Sequence, residues 1–448
     1  MSSLEAGAGP VGDHHPPVQA GDLVDLTIEG VAHGGHMVAR LGGGAGDGGD
    51  THGRPRGFVL FVRHALPGEQ VVAQVVDVRR GHGFAEAVEI VRAHPQRVSP
   101  ACDSFRPFGC GGCDFHHADR ALQHELKLSV LQDALIRLGG LEPIRAQELM
   151  ASGMRDLGSG SGWRTRMRFS TVRPTQEPGT VAMHAHRSST LIDASACVIA
   201  DPEVLTAAAT AARDATEGAQ ILVARGDKGP AVVHVHEPDT RGDAGTKPRV
   251  RHHLDIHGER IDFRVPVDAF WQADPRLVGQ MVEAVLDFGA PRAGQVWWDL
   301  YAGAGPLAAG LAVAVRTRSG GPEGLVHAVE GSSVGVQAAR RALHDMPWVR
   351  IHHQDVRAWL SAPPAPPPTG VVLDPPRSGA GAFVVQAIAS AGPSVVIYLA
   401  CDPMALGRDT ATLAEHGYQL TGLRMWDAFA HTHHFETAAV FRREDQIS

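Results

Sequence analysis

The chain is short of cysteine, of long apolar runs and of positive charge, and each shortage excludes something. Five cysteines among 448 residues are too few for a disulfide scaffold, which rules out the small secreted folds that depend on cross-links. A reducing cytoplasm is the expected setting, and a cysteine cluster there points to metal or catalysis. No apolar stretch approaches the ~18 residues that a membrane helix needs, so no membrane partner is expected. The opening residues, MSSLEAGAGPVGDHHPP, carry neither a basic nor an apolar segment, and residues 1–17 read as a disordered tail rather than a secretion signal. Net charge is −8, which argues against a uniformly basic, nucleic-acid-binding surface and leaves room only for a local basic face. Arg155, Arg164, Arg166 and Arg168, with Arg173 just after, form such a stretch. It reads either as a solvated strand face or as a nucleic-acid contact.

Three rhythms follow one another. Residues 18–94 hold short apolar-alternating segments (LVDLTIEGV, GFVLFVRHAL, QVVAQVVDVRR, GFAEAVEIV) separated by glycine turns, the pattern of a small OB-like β-barrel. Residues 95–265 mix a helix, HADRALQHELKLSVLQDALIRL, stopped by Gly139 and Gly140, with further strands, and predict an α+β middle domain. From 266 to 448, apolar runs such as VWWDL, LVHAVE, VVLDPP and VVIYLA alternate with helical segments. That alternation predicts an α/β domain, a doubly wound parallel sheet of the Rossmann-like kind. No internal repeat is present.

The apolar runs of the last domain each end in a polar residue. WDLYAGAGPLA puts Asp299 at a strand end and Gly303 and Gly305 in the turn into a helix, where the backbone can approach a ligand. Glu330, 31 residues beyond Asp299, ends the next strand and can accept hydrogen bonds from ribose hydroxyls, and Asp355 ends the third. The set favours an adenosine cofactor without separating NAD from S-adenosylmethionine. Asp374 in VVLDPPRSG and Cys401 in VVIYLAC end consecutive parallel strands, so both emerge at the ligand-binding edge. Cys102, Cys110, Cys113 and Cys197 offer four soft ligands, suited to tetrahedral zinc or to an iron–sulfur cluster. His431, His433 and His434 lack the i, i+4 spacing of a zinc helix and read as a loop lining.

In that order FWQAD, DLYAGAG, VVLDPPRSG, YLACDP…RD and THHFET resemble the S-adenosylmethionine-dependent RNA 5-methyluridine methyltransferases. The barrel is similar to a TRAM domain, and RVSPAC…CGGC…C is similar to the 4Fe–4S ligands of that family. The resemblance spans about residues 18–443. It implies Cys401 as nucleophile and Glu436 as base, with Gln272, Tyr301, Glu330, Asp355 and Asp374 at cofactor-contacting positions. It implies Cys102, Cys110, Cys113 and Cys197 as ligands of a 4Fe–4S cluster, zinc being the lesser alternative. The partner it implies is RNA, either 23S ribosomal RNA or tRNA with the cluster leaning towards the ribosomal one, and no obligate protein partner. The chain departs from the motifs at Asp274, Ala302, Pro306, Asp402 and Ala430. A competing reading is a non-catalytic RNA-binding or RNA-folding protein with a decayed cofactor pocket; retention of both Cys401 and Glu436 speaks against it.

The implied chemistry explains the residue types. C5 of uracil is too poor a nucleophile to attack a sulfonium methyl group. A thiolate added at C6 makes the ring an enolate and C5 a carbon nucleophile. A base must then remove the C5 proton so that the thiolate can leave. A last strand running antiparallel beside the Cys401 strand brings Glu436, at its start, to the thiol.

Overall fold

Alternation of small apolar and polar side chains is what shapes the N-terminal part. In the computed structural model, which describes residues 16–42, 57–158, 160–172, 179–238, 247–317 and 324–446, the chain falls into two compact units, residues 1–97 and 98–448. The expected tail, apart from its last two residues, most of the Gly/Asp loop after Leu41, and Arg173 lie outside the described residues. In the first unit six strands pair in the order Leu23–Thr27, Gln70–Val78, His82–Arg92, Phe58–Arg63, Met37–Leu41, Gly30–Val31. Every neighbour is antiparallel except Phe58–Arg63 beside His82–Arg92. Leu23–Thr27 also lies against Met37–Leu41, so the sheet curls on itself. Val71, Ala73 and Val75 point inward onto Leu60, Val62 and Ala85, all buried, as a two-residue period requires. The carboxylate of Glu69 is fully buried and satisfied: it accepts from Arg97 Nε at 2.6 Å and Nη2 at 2.7 Å, and from the amides of Leu66 and His94.

The second unit is built on an eight-stranded sheet in the order Val349–His353, Leu325–Glu330, Val296–Leu300, Gly370–Leu373, Val395–Ala400, Glu436–Arg443, Tyr418–Asp427, Met154–Asp156. The first five are parallel, and Glu436–Arg443 runs antiparallel to both neighbours. The edge strand Met154–Asp156 comes from the preceding sequence segment and pairs parallel with Tyr418–Asp427. Helices cover both faces, so the strands are apolar on both. Val395, Ile397 and Leu399 enter one core with Trp297 and the helix Arg276–Gly289. Val396, Tyr398 and Ala400 enter the other with Trp298 and the helices Arg120–Arg137 and Pro403–Glu415. These last two helices cross at Gly407, where an added Cβ would lie 2.6 Å from the Ala134 carbonyl oxygen.

Ahead of that sheet sits a five-stranded antiparallel one, Leu191–Asp193, Thr180–His184, Arg166–Val172, Gln220–Ala224, Val232–His236, backed by the helix Pro202–Ala212. A ribbon, Arg249–Ile256 with Glu259–Pro266, packs its apolar side into the first core. No helix among the described residues is long and apolar enough to cross a membrane.

Candidate active site

The parallel strands deliver their polar ends to one edge. Val395–Ala400 pairs with Glu436–Arg443 so that Ala400 faces Thr437; one step further along the same register sets Cys401 opposite Glu436. Leu373 pairs with Tyr398 on the other side, which brings Asp374 to the same edge. Cys401 is half-buried and Glu436 is 4% exposed, its Oε2 without a hydrogen-bond partner among the described residues. Burial and the Asp374 carboxylate push Glu436 well above the usual carboxylate range, and Arg377 opposes them. Burial likewise pushes Asp374 up to about 7. The Cys401 thiol is pushed up to about 12 by burial, then by Glu436 and Asp374, against the pull of Arg377. Burial favours the protonated form of each carboxyl, and the Asp374 charge adds to this at Glu436.

The loop after Asp374 is braced by Asp409, the acid of the RD pair in YLACDP…RD. Its Oδ2 accepts from the Tyr398 hydroxyl at 2.7 Å and the Ala380 amide at 2.8 Å. Asp402 caps the helix Pro403–Glu415 through the Ala405 amide at 2.9 Å, which fixes the direction of the chain as it leaves Cys401.

The adjoining cleft is built on the turn after Val296–Leu300. Tyr301, Gly303 and Gly305 have φ of 64°, 57° and 88°, a left-handed turn that a β-branched sequence would not adopt. At Gly305 a Cβ would come within 3.1 Å of Leu343 Cδ1 and 3.2 Å of Ala339 Cβ, whereas at Gly303 it would meet nothing within 4 Å. Gly305 is thus required by packing, and Gly303 faces open space. Pro306 takes the first position of the helix Pro306–Val315, where no N–H is missed. Glu330 accepts from the amides of Gly303 at 2.8 Å and Ser332 at 2.6 Å, which aims its carboxylate at the turn. Asp355 caps the next helix, accepting from Ala358 N at 3.1 Å on Oδ1. Asp299 is fully buried, and neither of its oxygens has a hydrogen-bond partner among the described residues. Burial pushes it well up, the Ala308 amide opposes that from a geometry short of a hydrogen bond, and Asp374 and Glu330 add to it. Tyr301 is pushed up to about 12 by burial, then by Asp355 and Asp409. Asp374 and Glu330 thus act on Asp299, and Asp355 on Tyr301, two residues further along the chain. Gln272 is buried on a separate segment beside the Asp274–Arg276 ion pair, and no hydrogen bond among the described residues joins it to Tyr301, Glu330, Asp355 or Asp374.

Cys102, Cys110, Cys113 and Cys197 line a single cavity with Phe105, Met183 and Ile199. Burial pushes the Cys113 thiol well up, and Cys197, Asp114, Cys110 and Cys102 add to it. Cys197 is raised by burial first, against the amides of Ala200 and Ile199. Beside them Arg164 has a shielded Nε with no hydrogen-bond partner among the described residues, and Cys197, Cys113 and Cys110 act on it as negative charges when ionised. Four metal-bound thiolates supply that negative charge, so the residues fit a metal centre. A second group, His124, Asp156 and Asp427, has metal-like spacing, but two cations already occupy it. Lys127 Nζ and Arg120 Nη1 each lie 2.7 Å from Asp427.

The expected arginine face is not a uniform one. Arg166 donates to the carbonyls of Val267 at 2.8 Å and Pro266 at 3.2 Å, and Arg164 turns towards the thiols. Only Arg168 and Arg155 of the described set are exposed. Sequence reasoning quoted Arg377 and Asp409 inside motifs without giving them a role, and passed over Asp114. The signal for Asp114 was its place directly after CGGC.

A TRAM-domain profile matches residues 17–88 and a tRNA (uracil-5-)-methyltransferase profile residues 368–444, the latter containing Asp374, Cys401 and Glu436. The chain is 34% identical to an uncharacterized RNA methyltransferase of Streptomyces avermitilis, covering 94% of this chain and 98% of the relative. It is 31% identical to a 23S rRNA (uracil(1939)-C(5))-methyltransferase of Alkalilimnicola ehrlichii, with 94% and 97% covered. In fold it is similar to the Pyrococcus abyssi tRNA (uracil-54, C5)-methyltransferase, solved with S-adenosyl-L-homocysteine, at a TM-score of 0.63 and 17% identity over 93% of this chain and 99% of that one. Similarity over nearly the whole of both chains decides the family: the chain belongs to the S-adenosylmethionine-dependent RNA uracil-C5 methyltransferases.

Proposed function

We propose that the protein methylates C5 of one uridine in 23S ribosomal RNA through a covalent bond between Cys401 and C6. The observation that carries this reading is the register that sets Cys401 opposite Glu436, next to Asp374, at the carboxyl edge of the sheet. The ribosomal target is favoured because a relative sharing nearly the whole chain carries that name, and because four cysteines fit a cluster. Gln272, Tyr301, Glu330, Asp355 and Asp374 hold the cofactor: Glu330 and Asp355 each keep lone pairs for ribose hydroxyls after their backbone contacts. Bound S-adenosylmethionine supplies the electrophilic methyl group.

The remaining steps belong to the chain. A uridine swung out of its stack meets Cys401; the thiol releases its proton to solvent as the S–C6 bond forms and the C5–C6 π pair moves to C5 and O4, which leaves the Glu436 carboxylate free. After C5 is methylated, Glu436 takes the C5 proton. The released pair restores C5–C6, and the C6–S pair returns to Cys401. Burial serves this step, because a carboxylate held above its usual range is a stronger base than an exposed one. Cys102, Cys110, Cys113 and Cys197 hold a 4Fe–4S cluster, for which anaerobically purified brown protein with iron and acid-labile sulfide is the check, one zinc per chain being the contrary result. The barrel contacts RNA, and the protein acts in the cytoplasm.

Mass-spectrometric mapping of 5-methyluridine in total RNA, with and without the gene, tests the target. Loss of a single site in 23S RNA is expected; loss in tRNA would move the target, and no loss would overturn the reading. The mechanism is tested with Glu436→Gln near neutral pH. A methylated protein–RNA adduct that survives denaturing electrophoresis is expected, and it should vanish when Cys401→Ala is added. Wild-type turnover without an adduct would require another base.

A further inference from the structure

Between the cysteine site and the active site runs a strap of hydrogen bonds joining residues more than three hundred positions apart. Asp114, directly after Cys113, accepts on Oδ2 from the His433 amide at 3.0 Å and lies 2.6 Å from its Nδ1. The amides of Asp114 and Phe115 both donate to the His431 carbonyl, at 2.8 and 2.9 Å. The His116 and His431 rings stack at 4.0 Å, 5° from parallel, and Gln123 Oε1 accepts from the His431 amide at 2.9 Å. His431 itself has φ of 67°, a conformation that surrounding contacts must hold in place. Next along, His434 Nε2 accepts from Arg377 Nη2 at 3.1 Å, and Arg377 is the cation that acts on both Cys401 and Glu436. Glu436 follows two residues later. Cys113, Cys197 and Phe429 also pack against one apolar cluster, formed by Trp163, Ile199 and Ala430. The loop presenting the base is thus walled by the cysteine loop and tied to it.

We propose that Asp114 is a positioning residue for the base: it fixes His433, and through that end of the loop Glu436, relative to the thiolate site. A filled thiolate site then acts on catalysis mechanically, by holding Asp114 in place. The inference rests on the functional reading above, in which Glu436 removes the C5 proton. Misplacing a reacting group by about 1 Å costs about a hundredfold in rate. A loosened Glu436 therefore slows the last step more than the thiol addition that precedes it.

Asp114→Ala removes the side-chain acceptor and leaves both backbone bonds to His431. The expected result is kcat lowered by about ten- to a hundredfold with the RNA KM, S-adenosylmethionine affinity and metal content close to wild type. The denaturant-stable, methylated RNA adduct should accumulate during turnover, although Glu436 is intact. Asp114→Asn, which keeps an acceptor oxygen, should restore most of the rate and abolish the accumulation. Should Asp114→Ala lose metal or fold, His433→Ala cuts the strap from the other end and is read in the same way. Reduced turnover without adduct, or wild-type turnover, in the variant that retains metal and fold overturns the positioning role. If Glu436→Gln itself traps no adduct, it is the functional reading that fails.

Discussion

Removing the charge of Glu436 should make Cys401 more reactive towards an alkylating agent while stopping turnover. In the resting enzyme the thiol is pushed up to about 12 by burial, then by Glu436 and Asp374, with Arg377 opposing and Asp402 adding. At about pH 9 such a thiol is ionised to roughly one part in a thousand. The charge removed is negative and so is the thiolate, so Glu436→Gln favours ionisation and lowers the thiol pKa. A neighbouring like charge is worth about one unit, that is about 1.4 kcal/mol, and alkylation below the midpoint should speed by about tenfold. The burial contribution stays, so the thiol does not return to an ordinary value. The gain should grow as the pH rises and the carboxyls of the wild type ionise. It should shrink towards neutrality, because Asp374, pushed up to about 7, and Glu436 are then increasingly protonated. Arg377→Gln should act in reverse, since it removes a cation that pulls the thiol down. The assay is iodoacetamide labelling quenched at intervals, with mass spectrometry of the peptide carrying Cys401 so that the other four cysteines do not interfere. Unchanged or slower labelling of Glu436→Gln, or faster labelling of Arg377→Gln, would refute this account of the edge.

Three further outcomes are expected. S-adenosylmethionine, a sulfonium cation, should accelerate Cys401 labelling relative to S-adenosylhomocysteine, its neutral counterpart of nearly the same shape; equal rates would place the cofactor charge away from the thiol. Gly305→Ala, at φ of 88° with Leu343 Cδ1 3.1 Å from the new Cβ, should lower stability by about 1–2 kcal/mol in thermal denaturation. Gly303→Ala, also at positive φ but with nothing within 4 Å of the new Cβ, should in addition weaken cofactor binding in a calorimeter. Asp427→Asn strands the fully buried Lys127 and should cost about 3 kcal/mol at neutral pH. Against burial, His124, Lys127 and Arg120 hold Asp427 well below the usual range, so its contribution is present above the unfolded value of about 4 and is lost as pH falls. Wild type should therefore lose stability on acidification more steeply than Asp427→Asn, and parallel acid profiles would count against the network.

The parts of this architecture legible in the sequence are those whose signal is local. VVIYLA reads as a strand because both faces are covered, Val395, Ile397 and Leu399 on one side and Val396, Tyr398 and Ala400 on the other, so every position must be apolar. The Cys401–Glu436 meeting was legible too, since strand ends and strand direction follow from the rhythm of segments. What the rhythm does not carry is what covers a polar side chain. Arg164, Arg166 and Arg168 alternate as one strand face should, yet carbonyls at Pro266 and Val267 take up Arg166 and the thiols face Arg164, leaving Arg168 to solvent. Met154–Asp156, three residues long, is too short to show any period, and only the open edge of Tyr418–Asp427 makes it a strand. The Asp114–His433 contact spans 319 positions and lies between two loops, each of which reads correctly as a loop and neither of which names its partner. A loop has no period to betray a contact, and an acid beside a cysteine repels the thiolate it neighbours. Its position there, raising the Cys113 thiol as it does, makes sense only once the histidine loop that needs it is in view.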